Sequence, residues 1–135
     1  MSVWRETPTL AGRHVTLRPL HRDDRAALLD AFDGLRVFTT FVPGPATIDG
    51  WYDRLEAEAA AARALPFTVL DADGAVAGVT RFMRMSEPHR RVEIGGTVYA
   101  PRVQRTGLNT EAMRLLLTHA FVSLGANCVQ LRTDF

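Results

Sequence analysis

Along this chain the spacing of apolar residues changes period several times, and each change marks an element. His14–Leu20 (HVTLRPL) alternates apolar with polar positions and carries β-branched residues, which predicts a strand. In Arg22–Phe32 the apolar residues Leu28, Leu29 and Phe32 fall on one helical face, with Gly34 as the stop. Val37–Pro45 is apolar but broken by Pro43, Gly44 and Pro45, and is expected to be a loop. Thr47 can cap a helix from Ile48 to about Ala64, a stretch rich in Ala and Glu. Within it, Ala59–Ala62 fits either close packing or solvent exposure.

Phe67–Leu70 predicts a short buried strand, and Asp73-Gly74 a hairpin turn. Ala75–Met85 predicts the returning strand, with Gly78 weakening it or marking a bulge. After a turn at Ser86–Arg90, Val92–Ala100 completes a three-stranded meander. Pro101–Leu108 is a loop, and Asn109–Leu124 has the clearest helical period in the chain. Its apolar face is Ala112, Met113, Leu116, Leu117, Ala120 and Phe121, and Gly125 closes it. Cys128–Thr133 alternates once more. Residues 1–12 are expected to form an extended lead-in. The order β-α-α-β-β-β-α-β, with a long helix between the last two strands, implies a mixed α/β sheet with a local parallel pair.

Composition narrows the function. At 135 residues the chain is one domain with room for one core. A net charge of +1 asks for neither nucleic acid nor an anionic membrane. The one cysteine, Cys128, excludes an internal disulfide framework, which suits a reducing cytoplasm. No signal pattern and no membrane-spanning run is present. All 16 basic side chains are arginine. Lysine chemistry is therefore excluded, whether a P-loop cation, a Schiff base or a general base. No cluster of His, Cys, Asp or Glu has metal-ligand spacing, and no metal is expected.

The segment Val98–Glu111 (VYAPRVQRTGLNTE) carries the chemistry. A strand ends, a glycine-containing loop follows, and a helix begins. Unpaired backbone N–H groups and the positive end of a helix dipole suit an anion there. Arg102 and Arg105 add charge, and Thr106 and Thr110 add hydroxyls. The same pattern also fits an ordinary strand-to-helix turn. It is not a P-loop, and it is not the dinucleotide GxGxxG.

The loop QRTGLN resembles the pyrophosphate loop of the GNAT acyltransferases, Q/R-x-x-G-x-G/A, with Gln104, Gly107 and Asn109 at its three defining positions. Asn109 departs from Gly/Ala. The longer string QRTGLNTEA, followed by LLLTHAF, is similar to the RimJ/RimL-type N-acetyltransferases, where Asn is common at that position. LAGRHVTLRPL with HRDD resembles that branch's first strand and helix, RRVEIGGTVYA its fourth strand, and LGANCVQLRTD its fifth. The resemblance runs from about Leu10 to Asp134.

It implies a GNAT-like fold and transfer of acetyl from acetyl-CoA to a primary amine, either a small amine or a protein or peptide N-terminus. Pantetheine would lie along Thr97, Val98 and Tyr99, and pyrophosphate on Gln104, Arg105, Thr106, Gly107, Leu108, Asn109 and Thr110. A backbone N–H near Val98 would polarise the thioester carbonyl. Glu93 is the candidate base. On a regular strand residues 93, 95 and 97 share a face, so Glu93 and Thr97 would point together. A surface position, or an ion pair with Arg81, Arg90 or Arg91, is the alternative for this glutamate. Phe38, Phe41 and Trp51 are candidates for the acceptor site, and core packing fits them as well. His119 is expected in the core or on the surface, and Cys128 as a small buried residue.

The family's fifth strand is followed by a turn, a helix and two further strands that this sequence does not contain. The expectation is a single domain over 1–135 that is incomplete at its C-terminus and associates with another copy through its last strand, as a homo-oligomer. The alternative function is a CoA-binding interaction module without turnover.

Overall fold

The alternating segments become strands that pair in chain order. A computed structural model describes residues 2–35 and 41–132. Its strands are β1 (Leu10–Ala11), β2 (Val15–Pro19), β3 (Leu65–Asp71), β4 (Val76–Ser86), β5 (Arg91–Tyr99) and β6 (Cys128–Leu131). Its helices are α1 (Arg25–Ala31), α2 (Ile48–Ala60) and α3 (Leu108–Thr118). One mixed sheet holds all six strands in sequence order. Neighbours from β1 to β5 are antiparallel, and β5 and β6 are parallel. A parallel pair needs a crossover, and α3 supplies it. The expected mixed α/β architecture is present, with the short β1 added ahead of it.

The sheet buries both faces. On one, α3 contributes Leu108, Ala112 and Leu116, and the turn after it Ala120, to a core with Leu17, Phe67, Phe82, Val92 and Ile94. On the other, α1 and α2 bring Leu28, Trp51, Tyr52 and Leu55 against Val79 and Val98. Burial on both sides explains why β3 reads as a short apolar run rather than a clean alternation.

Several expectations are corrected. The lead-in is not simply extended: a 3-10 turn at Val3–Arg5 buries Trp4, whose indole N–H donates to the Leu124 carbonyl at 3.1 Å. Thr47 stands at the start of α2, but its hydroxyl accepts from the Gly44 N–H at 2.9 Å and leaves the helix uncapped. The helix ends at Ala60, and Ala60 and Ala61 face solvent. Beyond Thr118 the long helix widens into a π-turn at His119–Ser123. The extra residue rotates the apolar stripe, so His119 and Ala120 are buried while Phe121 is 50% exposed. Cys128 is exposed rather than buried, opposite Arg91 at the start of the parallel pair. Among the described residues, no helix is long and apolar enough to cross a membrane.

Candidate functional site

The site grows from an irregularity in β5. Val79 pairs with Val98 and Arg81 with Gly95, so β5 carries one residue more than β4 between them. Gly96 takes φ +61°, a left-handed conformation that glycine adopts without a Cβ penalty. This bulge flips the alternation. Before it, Val92 and Ile94 face α3. After it, Val98 faces α1 and α2, while the Thr97 hydroxyl lies 2.9 Å from that of Thr80 on the α3 side. Glu93 and Thr97 therefore point to opposite faces, against the expectation from a regular strand. Glu93 shares its face with Val98 instead.

β6 accompanies β5 only from Arg91 to Ile94. Beyond Ile94, among the described residues, β5 pairs with β4 alone. The stretch from Gly95 to Tyr99 therefore offers backbone groups on its β6 side to a ligand. On its other side β4 approaches closely: a Cβ on Gly78 would collide with the Val98 carbonyl oxygen and lie 3.0 Å from the Tyr99 Cα. Gly78→Ala is expected to cost about 2 kcal/mol in urea unfolding, because the two backbones must part. An unchanged midpoint would show that the close approach is not maintained in solution.

Next comes the loop. Pro101–Val103 makes a 3-10 turn, and Arg105 then reverses the chain at φ +60°. Among the described residues, the backbone N–H groups of Gly107, Asn109 and Thr110 find no acceptor in the chain. They collect at the N-terminus of α3, where the helix dipole favours an anion. The Thr106 hydroxyl is already occupied: it donates to the Val103 carbonyl at 2.6 Å and accepts from the Leu108 N–H at 3.3 Å. The Leu108 side chain is buried in the core, so only its backbone faces the loop. Arg102 is tied to Asp71 and to the Val76 carbonyl, which leaves Arg105 as the loop's uncommitted cation among the described residues.

Two contacts hold the loop against the end of β5. The Gln104 side-chain N–H donates to the Tyr99 carbonyl at 3.1 Å. The Tyr99 hydroxyl donates to Asn109 Oδ1 at 2.8 Å. Burial pushes the Tyr99 phenol up to about 12, so it remains a donor at neutral pH. Asn109, the departure from Gly/Ala, thus serves as the acceptor of this clasp. Sequence reading missed a third tether: Glu111 in the first turn of α3 accepts from the His14 and Val15 N–H groups at 2.6 and 3.0 Å. These bonds fix the helix N-terminus to the β1–β2 turn and hold the Glu111 carboxyl below its ordinary range.

On the α2 side of Val98 lies a cavity of about 150 Å³. Phe41, Trp51, Arg54, Glu58, Arg81 and Val98 are among its walls. The structure thus brings two of the expected acceptor residues, Phe41 and Trp51, to one pocket beside Val98. Phe38 lies outside the described residues. Glu93 is 3% exposed; Oε1 accepts from Arg132 Nε at 2.9 Å, and Arg84 Nε stands 3.9 Å from Oε2. Glu93 is thus ion-paired, but with Arg132 and Arg84 rather than the expected Arg81, Arg90 or Arg91. His119 stacks on Phe82 at 5.9 Å, away from the pocket, and burial lowers its affinity for a proton. Among the described residues no group of three or more His, Cys, Asp or Glu could hold a metal ion.

A family model described as Acetyltransferase (GNAT) domain matches residues 14–135. Among solved structures, a GCN5-related N-acetyltransferase from Brucella melitensis superposes with a TM-score of 0.76 at 29% identity, over 90% of this chain and 57% of its own. A probable acetyltransferase of the GNAT family from Chromobacterium violaceum gives 0.76 at 30% identity, over 91% and 64%. RimJ of Mycobacterium smegmatis, in complex with CoA-disulfide, gives 0.75 at 22% identity, over 94% and 68%, a likeness of fold alone. The chain spans a little over half the length of the Brucella protein. No curated protein matches the chain.

Proposed function

The chain belongs to the GNAT acetyltransferase family, and we propose that it transfers acetyl from acetyl-CoA to a primary amine across the opening beside Val98. One observation carries this reading: Val98 lies on the stretch of β5 beyond Ile94 that β6 does not accompany among the described residues, with unsatisfied N–H groups at one end and an aromatic pocket on the other side. Pyrophosphate would rest on the N–H groups from Arg105 to Thr110, with Arg105 adding charge. Pantetheine would pair with the backbone groups of Thr97, Val98 and Tyr99 that β4 and Gln104 leave unbonded, as a strand adds to an open sheet edge. The thioester would then meet the pocket at Val98.

The chemistry is direct. The amine nitrogen attacks the thioester carbonyl carbon, a C–N bond forms, and the C–S bond breaks. One proton of the ammonium must leave before attack, and a second ends on the departing CoA thiolate. A backbone N–H near Val98 would stabilise the carbonyl oxygen. Glu93, on the same face as Val98, is the proposed base, acting through water.

Calorimetry with CoA and a thiol-release assay over a panel of amines test the reading. Binding without release on any amine would favour the second one, a CoA-binding module without turnover, which the burial of Glu93 beneath Arg132 supports. Glu93→Gln keeps an oxygen for Arg132 and removes the base. It is expected to slow release by roughly 100-fold while CoA affinity stays unchanged. A rate equal to the parent's would remove Glu93 from the mechanism.

A further inference from the structure

Most arginines of this chain that approach a carboxylate do so directly. Arg18 pairs with Asp24, Arg22 with Asp53 and Glu56, Arg25 with Asp49, Arg102 with Asp71, and Arg132 with Glu93. Arg81 does not. It stands on β4, on the sheet face of Glu93 and Val98, and lines the pocket beside Val98. Its Nε is buried and has no hydrogen-bond partner among the described residues. Burial lowers its hold on the proton; Glu58 and Glu93 act against that, and Arg54 acts with it. Neither glutamate comes within 4.0 Å of Arg81 among the described residues.

Room has been left for this guanidinium. A Cβ on Gly96 would lie 3.0 Å from its central carbon, so the glycine that makes the bulge also clears space for Arg81. Arg54 reaches the same pocket from α2, with its guanidinium 5.4 Å from the Phe41 ring centre. Glu58, one helical turn further along α2, is the pocket's one carboxylate among the described residues. Two cations therefore share a small, partly apolar cavity with one anion. A half-buried guanidinium whose Nε makes no hydrogen bond is under-satisfied, and a carboxylate that bonds its fork resolves this. The cavity, of about 150 Å³, has space for the head of a small molecule.

We propose that the acceptor carries a carboxylate next to its amine, as a free amino acid does, and that Arg81 with Arg54 recognises it. The carboxylate lies between the two guanidinium groups, Glu58 faces the ammonium, and the nitrogen is presented toward Val98. This inference rests on the proposed acetyl transfer and names the class of its acceptor.

The test compares free amino acids with their primary carboxamides, which keep the amine and lack the anion. The amide's amine is the less basic of the two, so chemistry alone favours the amide. The parent is expected to prefer the acid in kcat/KM by roughly tenfold or more, as charge-assisted hydrogen bonds allow. Arg81→Met and, on the exposed side of α2, Arg54→Met should each bring the acid-to-amide ratio toward one. CoA affinity by calorimetry checks that the variants are folded. Equal use of acid and amide by the parent, or a preference that survives in both variants, overturns the proposal.

A second measurement needs no turnover. With CoA present, N-acetyl amino acids and their amides are titrated while the fluorescence of Trp51 in the pocket wall is followed. Tighter binding of the acid, lost in Arg81→Met, supports the proposal; no preference overturns it. Failure of CoA to bind would sink the transferase reading, and the same titration without CoA would still decide the pocket.

Discussion

Replacing Gly107 by aspartate is expected to leave the fold intact and to weaken CoA binding by roughly 30-fold. The two halves of this expectation come from the same geometry. Gly107 has φ −72° and ψ −2°, an ordinary right-handed conformation, and a Cβ added to it would meet nothing within 4 Å. Nothing within the described chain therefore asks for glycine here. A carboxylate at the start of α3 would favourably meet the helix dipole, so stability should stay within about 0.5 kcal/mol of the parent or rise. The same carboxylate would compete for the Asn109 and Thr110 N–H groups and repel a pyrophosphate. A like charge some 5 Å away costs about 2 kcal/mol at a partly exposed site. Gly107→Ala separates charge from bulk, and its effect on CoA should be several-fold smaller. Calorimetry with CoA and a thermal melt on the same samples provide the check. An aspartate variant that binds CoA like the parent would mean that the pyrophosphate does not sit on this loop.

That prediction was within reach of the sequence, and its neighbours were not. Strand, loop and helix were legible from period and glycine placement, because both depend on local residues. The string QRTGLN pointed, for the same reason, to the loop whose N–H groups the fold leaves unpaired among the described residues. What the sequence hid were events that turn on a single residue. The bulge at Gly96 adds one residue to β5 and reverses every later side chain, so a strict alternation pairs Glu93 with Thr97 and the folded strand pairs it with Val98. The π-turn after Thr118 does the same to α3, exposing Phe121 and burying His119. Long-range capture was equally silent. Nothing in the order of residues says that Glu111 will reach back to His14, or that Arg102 will be spent on Asp71. The pocket was half legible: aromatic residues suggested an acceptor wall, but the arginine opposite them arrives from another strand, and only the fold shows that its Nε is unbonded.

Asp24→Ala is expected to be the most destabilising of these substitutions, by about 3 kcal/mol, or about 10 °C in the melting midpoint for a domain of this size. Asp24 is 6% exposed and gathers four hydrogen bonds. Arg18 grips it bidentately at 2.7 and 2.9 Å, the buried Thr68 hydroxyl donates at 2.7 Å, and the His21 N–H donates at 3.1 Å. Removing the carboxylate strands a guanidinium, a hydroxyl and an amide together. Arg18 keeps 28% of its side chain exposed, which places the cost at the lower end for a broken buried pair. The pH dependence has a definite sign. Burial pushes the Asp24 carboxyl up, but the bonds from Arg18, Thr68 and His21 outweigh it and hold the group below its ordinary range. A carboxyl depressed in the folded state contributes its full stability above its unfolded pKa and loses it as pH falls through the folded one. The gap between parent and variant should therefore be constant near neutrality and close in acid, below about pH 4. Urea unfolding at several pH values measures it, and a gap that widened in acid would contradict the ion-pair account. The effect should reach the pocket as well. Asp24 starts α1, and Tyr52 of α2 donates to the adjacent His21 carbonyl at 2.8 Å, so both helices over Val98 hang on this one turn. Loosening it is expected to move Trp51, and with it the pocket wall, before the loop at the start of α3 is disturbed.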